Sequence, residues 1–247
     1  MILLVDIGNT RIKWAFATNS TLRPGGGHSV SHDIQPLLDQ LWRSLSPAKQ
    51  VVLANGLGEQ VEADFQAWVA AHWQSDVICL RTQAQAHGVT NAYARPADLG
   101  IDRWLGLIAA HRLLASAACI ISCGTAITVD AIEASGRHLG GCILPGVAMM
   151  QSMLNRAAAI KVEPAMVEDL QAVNASTNAA VRYGSMYAAV SAIDAIVADM
   201  KAVLSAPVNC IITGGDAKAI APLLKTACQY DSDWLFKGML IAVSETV

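Results

Sequence analysis

The chain has 247 residues, of which 53% are hydrophobic, 15% charged and 5% aromatic, and its formal net charge is −3. This length allows one large domain or two compact halves, and the apolar content is sufficient for a large core. No basic run is present, so the composition argues against a protein that binds nucleic acid through phosphate contacts.

Neither export nor membrane insertion is indicated. Asp6 interrupts the first apolar run too early for a signal peptide, and the apolar run 113–121 is too short to span a bilayer. The cysteines lie at positions 79, 119, 123, 142, 210 and 228, without zinc-ligand spacing. We expect small, buried, reduced cysteines and a cytoplasmic location. A redox pair of Cys119 and Cys123 is the less favoured alternative.

The first predicted element is a strand over Leu3–Val5, followed by a tight turn, Asp6–Thr10, and a second strand over Lys13–Phe16. An ordinary hairpin needs only Asn-Gly or Asp-Gly chemistry, and this interpretation remains open. The turn also carries a carboxylate, an amide and a hydroxyl, and Arg11 and Lys13 follow. That combination suits a polyphosphate and its metal ion.

Further elements follow along the chain. The segment 23–29 is predicted to be an exposed hairpin connection. Apolar residues at helical spacing predict helices over about 34–45, 61–69, 101–115 and 178–204, with two more after Gly215 and after Asp233.

Two pairs of similar segments indicate an internal duplication. Residues 121–126 repeat the pattern of 5–10, in which a small polar residue precedes a glycine by two positions after an apolar strand. Residues 51–58 and 210–217 both place a glycine turn after an apolar strand and before a helix. We therefore predict an α/β protein of two related halves, residues 1–116 and 117–247, with a cleft between them.

The chain has no P-loop, no GxSxG elbow and no HExxH motif. Asp102 and Arg103 lie at a predicted helix start, where a helix-stabilising acid beside an exposed arginine is the simpler interpretation. The stiff approach through Tyr93, Pro96 and Gly100, and the apolar neighbours of Asp102, instead favour a small-molecule site. For the Thr125 turn and for Gly214 and Gly215, a structural role is an equally good interpretation.

Taken together, the motifs resemble those of the type III pantothenate kinases. They are "DIGNTRIK" at 6–13, Tyr93 with Pro96, "LGIDR" at 99–103, "GTAITVD" at 124–130, "GGCILPG" at 140–146 and "TGG" at 213–215. They occur in the family's order over almost the whole chain. The resemblance implies two ribonuclease-H-like halves, as in the acetate and sugar kinase/Hsp70/actin superfamily. It also implies phosphorylation of pantothenate with ATP, the first step of coenzyme A synthesis.

The resemblance also implies roles for single residues. Asp102 is the expected proton acceptor. The expected ATP-binding residues are Asp6, Ile7, Gly8, Asn9, Thr10, Arg11, Ile12, Lys13, Thr125, Gly214 and Gly215. The expected pantothenate-binding residues are Tyr93, Gly100, Ile101, Asp102, Arg103 and Thr177.

The implied cofactor is Mg²⁺ with ATP, which Asp6 is expected to hold through water. Similar enzymes also use K⁺ or NH₄⁺, and most carry an aspartate where this chain has Ser122. We therefore expect weaker sensitivity to potassium, unless Asp130 or a partner subunit supplies a carboxylate. A homodimer is the expected assembly, with ATP and pantothenate as ligands and neither nucleic acid nor membrane as partner.

Two alternatives remain at this point. One is another small-molecule kinase or a polyphosphate hydrolase of the same fold, against which Tyr93 and "LGIDR" argue. The other is a non-catalytic regulatory protein, because some similar proteins were first described as accessory factors for transcription. The missing basic patch argues against direct DNA binding.

Overall fold

The architecture was analysed in a computed structural model that describes residues 1–19, 21–31, 33–157, 161–205 and 207–244, without the side chains of residues 155 and 157. Runs of strands are separated by helices along the chain. The helices are α1 (Gln35–Trp42), α2 (Glu59–His72), α3 (Ile101–Leu114), α4 (Val147–Ala157), α5 (Thr177–Leu204), α6 (Ala217–Ile220) and α7 (Trp234–Ser244), with 3-10 turns at Pro96–Asp98 and Ala221–Leu223.

The first sheet has five strands in the order β3-β2-β1-β4-β5. They are β1 (Ile2–Ile7), β2 (Arg11–Thr18), β3 (Thr21–Ser29), β4 (Gln50–Asn55) and β5 (Asp76–Cys79). The three strands β1 to β3 pair antiparallel, while β4 pairs parallel with both β1 and β5. The parallel neighbours β4 and β5 are joined through α2, as a parallel pair requires a crossover connection.

The second sheet repeats this arrangement with the order β10-β9-β8-β11-β12. Two short strands, β6 (Gln85–Ala86) and β7 (Val89–Thr90), come before it. Its strands are β8 (Ala117–Cys123), β9 (Ala126–Ile132), β10 (His138–Pro145), β11 (Val208–Thr213) and β12 (Gln229–Tyr230). The directions also match: β8 to β10 are antiparallel and β8, β11 and β12 are parallel. The prediction of an α/β chain with two related halves is confirmed.

The chain divides into two compact units. Unit 1 comprises residues 1–87, 93–109 and 233–247, and unit 2 comprises residues 88–92 and 110–232. The C-terminal helix α7 thus returns to unit 1, where it packs on β1 and β4. The indole of Trp234 donates to the Gly106 carbonyl at 3.1 Å. The predicted division at residues 116 and 117 stays a prediction.

The core of unit 1 is built around aromatic rings. Trp42, fully buried, lies within 6.3 Å of four other rings, measured between centroids. These rings belong to Trp14, Phe65, Trp68 and Trp73. Edge-to-face contacts of this kind add to the free energy gained by burying the rings. The core holds the strand that ends at Asp6 and Ile7 in place.

The loop predicted at residues 23–29 is wrong, because this segment lies in strand β3. A Cβ on Gly25 or Gly26 would lie 2.2 or 2.7 Å from the Trp14 indole. The glycines therefore let an edge strand pass directly over this ring, and an edge position also tolerates Pro24. The glycine-rich composition of this segment is typical of a loop. It forms a strand because its glycines pack against the indole of Trp14 on the neighbouring strand.

Smaller predictions also need correction. The first turn is shorter than predicted, because Asp6 and Ile7 belong to β1 and only residues 8–10 connect the strands. The helix expected over 34–45 ends at Trp42, and Leu45 is exposed. The other predicted helices are confirmed, with α5 the longest at 28 residues.

The cysteines are free thiols, as predicted, but only Cys119, Cys123 and Cys210 are buried. Cys79 and Cys228 are half-buried, and Cys142 is exposed in a stretch of the edge strand β10 whose neighbouring residues are exposed as well. The described part of the chain contains no helix with the length and apolar character needed to cross a membrane.

Candidate functional site

The predicted first phosphate loop lies in unit 1, between β1 and β2. The Gly8 N–H donates to the Arg11 carbonyl at 2.9 Å, and the Val30 N–H donates to the Thr10 carbonyl at 3.1 Å. These bonds hold a tight connection whose Asn9 and Thr10 are exposed. Ile7 and Ile12 are fully buried, so among the predicted ATP-binding residues these two can offer only backbone atoms.

Asp6 is the unusual residue of this loop. Its side chain is 8% exposed, and burial, together with the negative charge of Asp102, raises the pKa of Asp6 to about 7, against a smaller lowering by Lys13. Both neighbours belong to unit 1. A buried carboxyl group near a second carboxyl group attracts cations, since a cation relieves both the burial penalty and the repulsion.

The predicted acceptor segment is placed by the start of α3. Asp102 is exposed in the first turn of this helix, where the helix dipole stabilises a carboxylate. A Cβ on Gly100 would lie 2.7 Å from the Asp102 carboxylate, so glycine leaves the space that this side chain occupies. Ile101 is half-buried beside it.

Arg103 points inward, so the interpretation of an exposed arginine is wrong. Its side chain is 7% exposed and donates to the Tyr93 hydroxyl at 2.9 Å, with its guanidinium carbon 5.6 Å from the centre of the Tyr93 ring. The hydroxyl bond and the cation–π contact hold the two predicted pantothenate-binding side chains together. Tyr93, Arg103, Asp102 and Asp6 thus all lie in unit 1.

Unit 2 holds the second predicted phosphate loop, which follows β8. Ser122 lies next to the end of this strand and is half-buried, and Thr125 is exposed. The Gly124 N–H donates to the Ala126 carbonyl at 3.0 Å, and the Gly146 N–H donates to the Thr125 carbonyl at 3.0 Å. The Thr125 hydroxyl therefore lies in a loop whose backbone is held on two sides.

Gly214 and Gly215 follow β11 in the same unit. Gly214 has a φ of +102°, and a Cβ there would lie 2.2 Å from the Cys123 carbonyl oxygen. The structural explanation for Gly214 is therefore strong, because only glycine combines this backbone conformation with this close approach. A Cβ on Gly215 would meet no atom of the described residues within 4 Å apart from its chain neighbours, so that position leaves space.

Thr177, the last predicted ligand contact, is the first residue of α5 and borders a cavity of about 590 Å³ in unit 2. The side chain of Ser176 caps the helix by accepting the Ala179 N–H at 3.2 Å. Polar lining comes from Asn174, Ser176, Thr177 and Ser185. Hydroxyl groups at the positive end of a long helix suit a polar or anionic ligand.

Sequence reasoning missed a buried, hydrogen-bonded pair of side chains in unit 2. Asp130 and His138 are 2% and 1% exposed, and the His138 Nε2 lies 3.0 Å from an Asp130 carboxylate oxygen. The Ala92 N–H donates to the other ring nitrogen of His138 at 3.4 Å. Asp130 is therefore already engaged by a histidine. The position of Asp130 in the motif "GTAITVD" was a signal available in the sequence. Nothing in the sequence indicated that His138, eight residues later, would be its partner.

Within the part of the chain that the structure describes, protein groups alone do not build a metal site. Among the described residues, no group of three or more His, Cys, Asp or Glu side chains could hold a metal ion. Mg²⁺ in kinases needs only one or two carboxylates, because water and substrate phosphates supply its other ligands. Asp6 fits that requirement. Its carboxyl group is buried, and burial and the charge of Asp102 raise its pKa, so a nearby cation would stabilise its ionised form.

Comparisons with known proteins agree with the sequence resemblance. The model of the family described as type III pantothenate kinase matches residues 2–199. The chain is 37% identical over 254 residues to the type III pantothenate kinase of Nitrosococcus oceani, covering 100% of this chain and 95% of that protein. It is 36% identical over 235 residues to the type III pantothenate kinase of Janthinobacterium sp. (strain Marseille), covering 91% and 90%.

A solved structure shares the fold. It is a Campylobacter jejuni protein assigned to the Baf family of transcriptional activators, with a TM-score of 0.62 and 22% identity, covering 99% of this chain and 98% of that one. At this identity the likeness concerns the fold alone, and it lends no support to a regulatory role for this chain.

Proposed function

The chain belongs to the type III pantothenate kinase family and is an ATP-dependent pantothenate kinase, and we propose how its own residues carry out the transfer. The predicted family and enzyme class are confirmed, and the two alternatives are not favoured. The observation that carries the proposed mechanism is the pairing of a buried carboxyl group, Asp6, with the exposed carboxylate of Asp102 in one unit.

Asp102 is the proposed catalytic residue. Phosphoryl transfer depends mainly on alignment and charge stabilisation, and the acceptor hydroxyl must be oriented and must lose a proton. Asp102 is exposed to solvent and fixed in the first turn of α3, with Gly100 leaving it room. Its carboxylate accepts a hydrogen bond from the primary hydroxyl of pantothenate and takes up the proton during transfer.

Asp6 and the loop at 8–10 form the proposed phosphate side of unit 1. Mg²⁺ bound with ATP neutralises charge on the phosphate oxygens. Asp6 is the residue that would hold this ion through water, because its buried carboxyl group gains a counter-charge. Lys13, whose charge acts on Asp6, adds a positive charge near the same place. The exposed residues Asn9 and Thr10 offer backbone donors to phosphate oxygens.

Arg103 and Tyr93 are the proposed acceptor-binding pair. Their mutual hydrogen bond and ring contact fix both side chains before ligand binds. A guanidinium group has five donors in a planar fork, and Arg103 is proposed to donate to a carboxylate or amide of pantothenate. Preorganisation of this kind reduces the conformational entropy lost on binding.

Unit 2 is proposed to contribute to ATP and pantothenate binding through separate loops. Thr125 supplies a hydroxyl to phosphate, and the turn at Gly214 and Gly215 allows the backbone to approach the adenosine moiety. Thr177, at the polar rim of the cavity beside α5, is a proposed contact for pantothenate. A homodimer and a cytoplasmic location are proposed from the family resemblance.

A monovalent cation is proposed to act weakly in this chain. Ser122 offers a neutral oxygen where similar enzymes carry a carboxylate, and Asp130, the alternative source of charge, is bonded to His138. Less negative charge means weaker binding of K⁺ or NH₄⁺.

One assay tests the proposed activity. The purified protein is incubated with ATP, Mg²⁺ and pantothenate, and both ADP and 4′-phosphopantothenate are quantified. We expect both products in equal amounts, with little ADP when pantothenate is omitted. ADP release independent of pantothenate would indicate a hydrolase, and transfer to another alcohol would indicate a different kinase. With neither product, the regulatory alternative would gain support.

A further inference from the structure

Unit 2 contains a cluster of three thiols that the proposed mechanism does not use. Cys119 on β8 and Cys210 on β11 occupy directly paired positions of neighbouring strands. Cys228 immediately precedes Gln229, which pairs with Ile211, the residue after Cys210. All three side chains contact the same hydrophobic core. The three sulfurs therefore line up across adjacent strands on one face of the sheet, with Cys210 in the middle.

The middle thiol has an environment unlike those of its neighbours. Hydrogen bonding with the Cys119 and Cys228 thiols lowers the pKa of Cys210, and the charge of Lys201 lowers it further. The same bonds, together with burial, raise the pKa of Cys119 and of Cys228. Lys201 lies in the last turn of α5. Cys210 is thus the group of the three that carries thiolate character, which makes it the nucleophile.

The two neighbours of Cys210 differ in access and in freedom to move. Cys119 is fully buried on β8, which lies between β9 and β11. Cys228 is half-buried beside β12, an edge strand of two residues. Neighbouring strands are about 4.8 Å apart, inside the Cα separations that disulfides span, but the bond also needs a specific dihedral angle. The short edge segment can adjust to that geometry more readily than a central strand.

We propose that Cys210 and Cys228 form an oxidation site, at which a peroxide converts the two thiols into an intramolecular disulfide. The Cys210 thiolate attacks one peroxide oxygen, so an S–O bond forms, the O–O bond breaks and the other oxygen leaves as water after protonation. The Cys228 thiol then attacks the resulting sulfenic acid, forming the S–S bond and releasing a second water. Two thiols lose two electrons and two protons, and hydrogen peroxide becomes two waters.

The other cysteines provide internal comparisons. Burial and the charge of Asp216 raise the pKa of Cys123 to about 12, so this thiol stays protonated and unreactive. Cys142 is exposed on β10 and reports how oxidising the conditions are for an ordinary surface thiol. Oxidation at Cys210 needs neither ATP nor pantothenate, so its test is independent of the proposed kinase reaction.

The experiment treats the folded natural chain with a graded series of hydrogen peroxide, blocks the remaining thiols with an alkylating reagent and maps the peptides by mass spectrometry. We expect a Cys210–Cys228 disulfide that forms at or below the peroxide concentration that oxidises Cys142, and that dithiothreitol reverses. Oxidation of Cys142 while Cys210 and Cys228 both stay reduced would overturn the proposal. A Cys119–Cys210 disulfide as the main product would also overturn it.

Variants test the assigned roles. In Cys228→Ser, we expect a sulfenic acid at Cys210 that dimedone captures, because its resolving thiol is gone. In Lys201→Met, we expect disulfide formation to slow several-fold, since the positive charge near the thiolate is lost. Cys123→Ser is the matched control and should leave the yield unchanged. Dimedone labelling of Cys228 rather than Cys210 in single-cysteine variants would overturn the assigned order of attack.

Discussion

The two sheets of this protein have the same strand order and the same strand directions, yet they differ at equivalent positions of their first turns. Asp6 and Ser122 each lie two residues before a glycine at the end of the first strand of their sheet. One is a buried carboxyl group with a raised pKa, and the other is a neutral, half-buried hydroxyl. At this position of the repeat, therefore, only the first half has an ionisable side chain.

A second difference lies in the turn that follows the fourth strand of each sheet. Gly56 follows β4 with its N–H bonded to the Ile7 carbonyl at 2.8 Å, and a Cβ there would lie 3.4 Å from that oxygen. Gly214 follows β11 with a positive φ, and a Cβ would lie 2.2 Å from the Cys123 carbonyl oxygen. Unit 2 thus has the tighter turn after its fourth strand, and unit 1 has the buried carboxyl group at the end of its first strand.

The largest expected effect is a loss of activity in unit 1, which contains the two neighbouring carboxyl groups. Asp102→Asn should lower kcat by about 100-fold or more, because the amide cannot accept the proton of the acceptor hydroxyl. The exposed, nearly isosteric side chain should leave the melting temperature little changed. The matched control is Asp98→Asn, an exposed carboxylate paired with Arg95 at 2.9 Å just before α3. Wild-type turnover in a folded Asp102→Asn protein would remove Asp102 from the mechanism.

Asp6→Ala should disable the use of ATP without unfolding the protein. Loss of a carboxylate that holds Mg²⁺ through water should raise the magnesium concentration for half-maximal rate by about 10- to 100-fold. Initial rates across a magnesium titration measure this shift. Ser122→Ala, at the equivalent position of unit 2, is the control and should leave the magnesium dependence unchanged. Equal magnesium curves for Asp6→Ala and wild type would reduce Asp6 to a turn residue.

The two glycine turns should respond differently to the same substitution. Gly214→Ala should lower the free energy of unfolding by about 2–4 kcal/mol, since it combines a strained φ with a backbone clash. Gly56→Ala should cost less than about 1 kcal/mol, because its contact is an ordinary one. Urea unfolding of both variants provides the comparison. Similar losses of stability in the two would show that the turns are equally tight.

The buried charge should also be visible in the pH dependence of stability. The pKa of Asp6 is about 7 in the folded protein, against an ordinary value of 3.8, so the folded state binds the proton more tightly. Stability from this group is present below pH 4 and is lost as the pH rises through 7.

Asp6→Asn should therefore raise the free energy of unfolding by about 1–3 kcal/mol at pH 8, within the upper limit set by the size of the pKa shift. At pH 4, close to the pKa of an unfolded aspartate, the gain should fall to a small fraction of its value at pH 8. Melting temperatures without ligand, recorded from pH 4 to pH 8, measure the trend. A gain that is constant over this range would contradict burial of a titrating carboxyl group.

The smallest expected effect comes from a substitution that places a carboxylate at position 122, the position in unit 2 that corresponds to Asp6. In Ser122→Asp, the potassium concentration for half-maximal activation should fall by about 3- to 10-fold, since a charge pair at about 4 Å is worth at most about 4 kcal/mol before desolvation. Rates are measured against potassium, ammonium and sodium in Tris buffer for both proteins. Strong activation of the wild type at low millimolar potassium, unchanged in the variant, would contradict the charge argument.

The amino-acid sequence by itself determined the repeated strand–turn–strand pattern, most of the helices and the order of the motifs. These features depend on local hydrophobic periodicity and on glycine-containing turns, which are determined by residues close together in the sequence. The long helix α5 and the acidic start of α3 are examples. The resemblance to a kinase family rested on the same motifs, so the function was accessible before any coordinates were known.

Only the tertiary structure decided which of those motif residues are buried and what they contact. Strand β3 depends on Trp14 packing over Gly25 and Gly26, and the inward position of Arg103 depends on Tyr93, ten residues earlier. The pKa of Asp6 is raised first by its burial and then by the charge of Asp102, which is 96 positions away in the chain. Contacts between residues so far apart in the chain form only when the sheets and helices pack, and local sequence patterns carry no record of them.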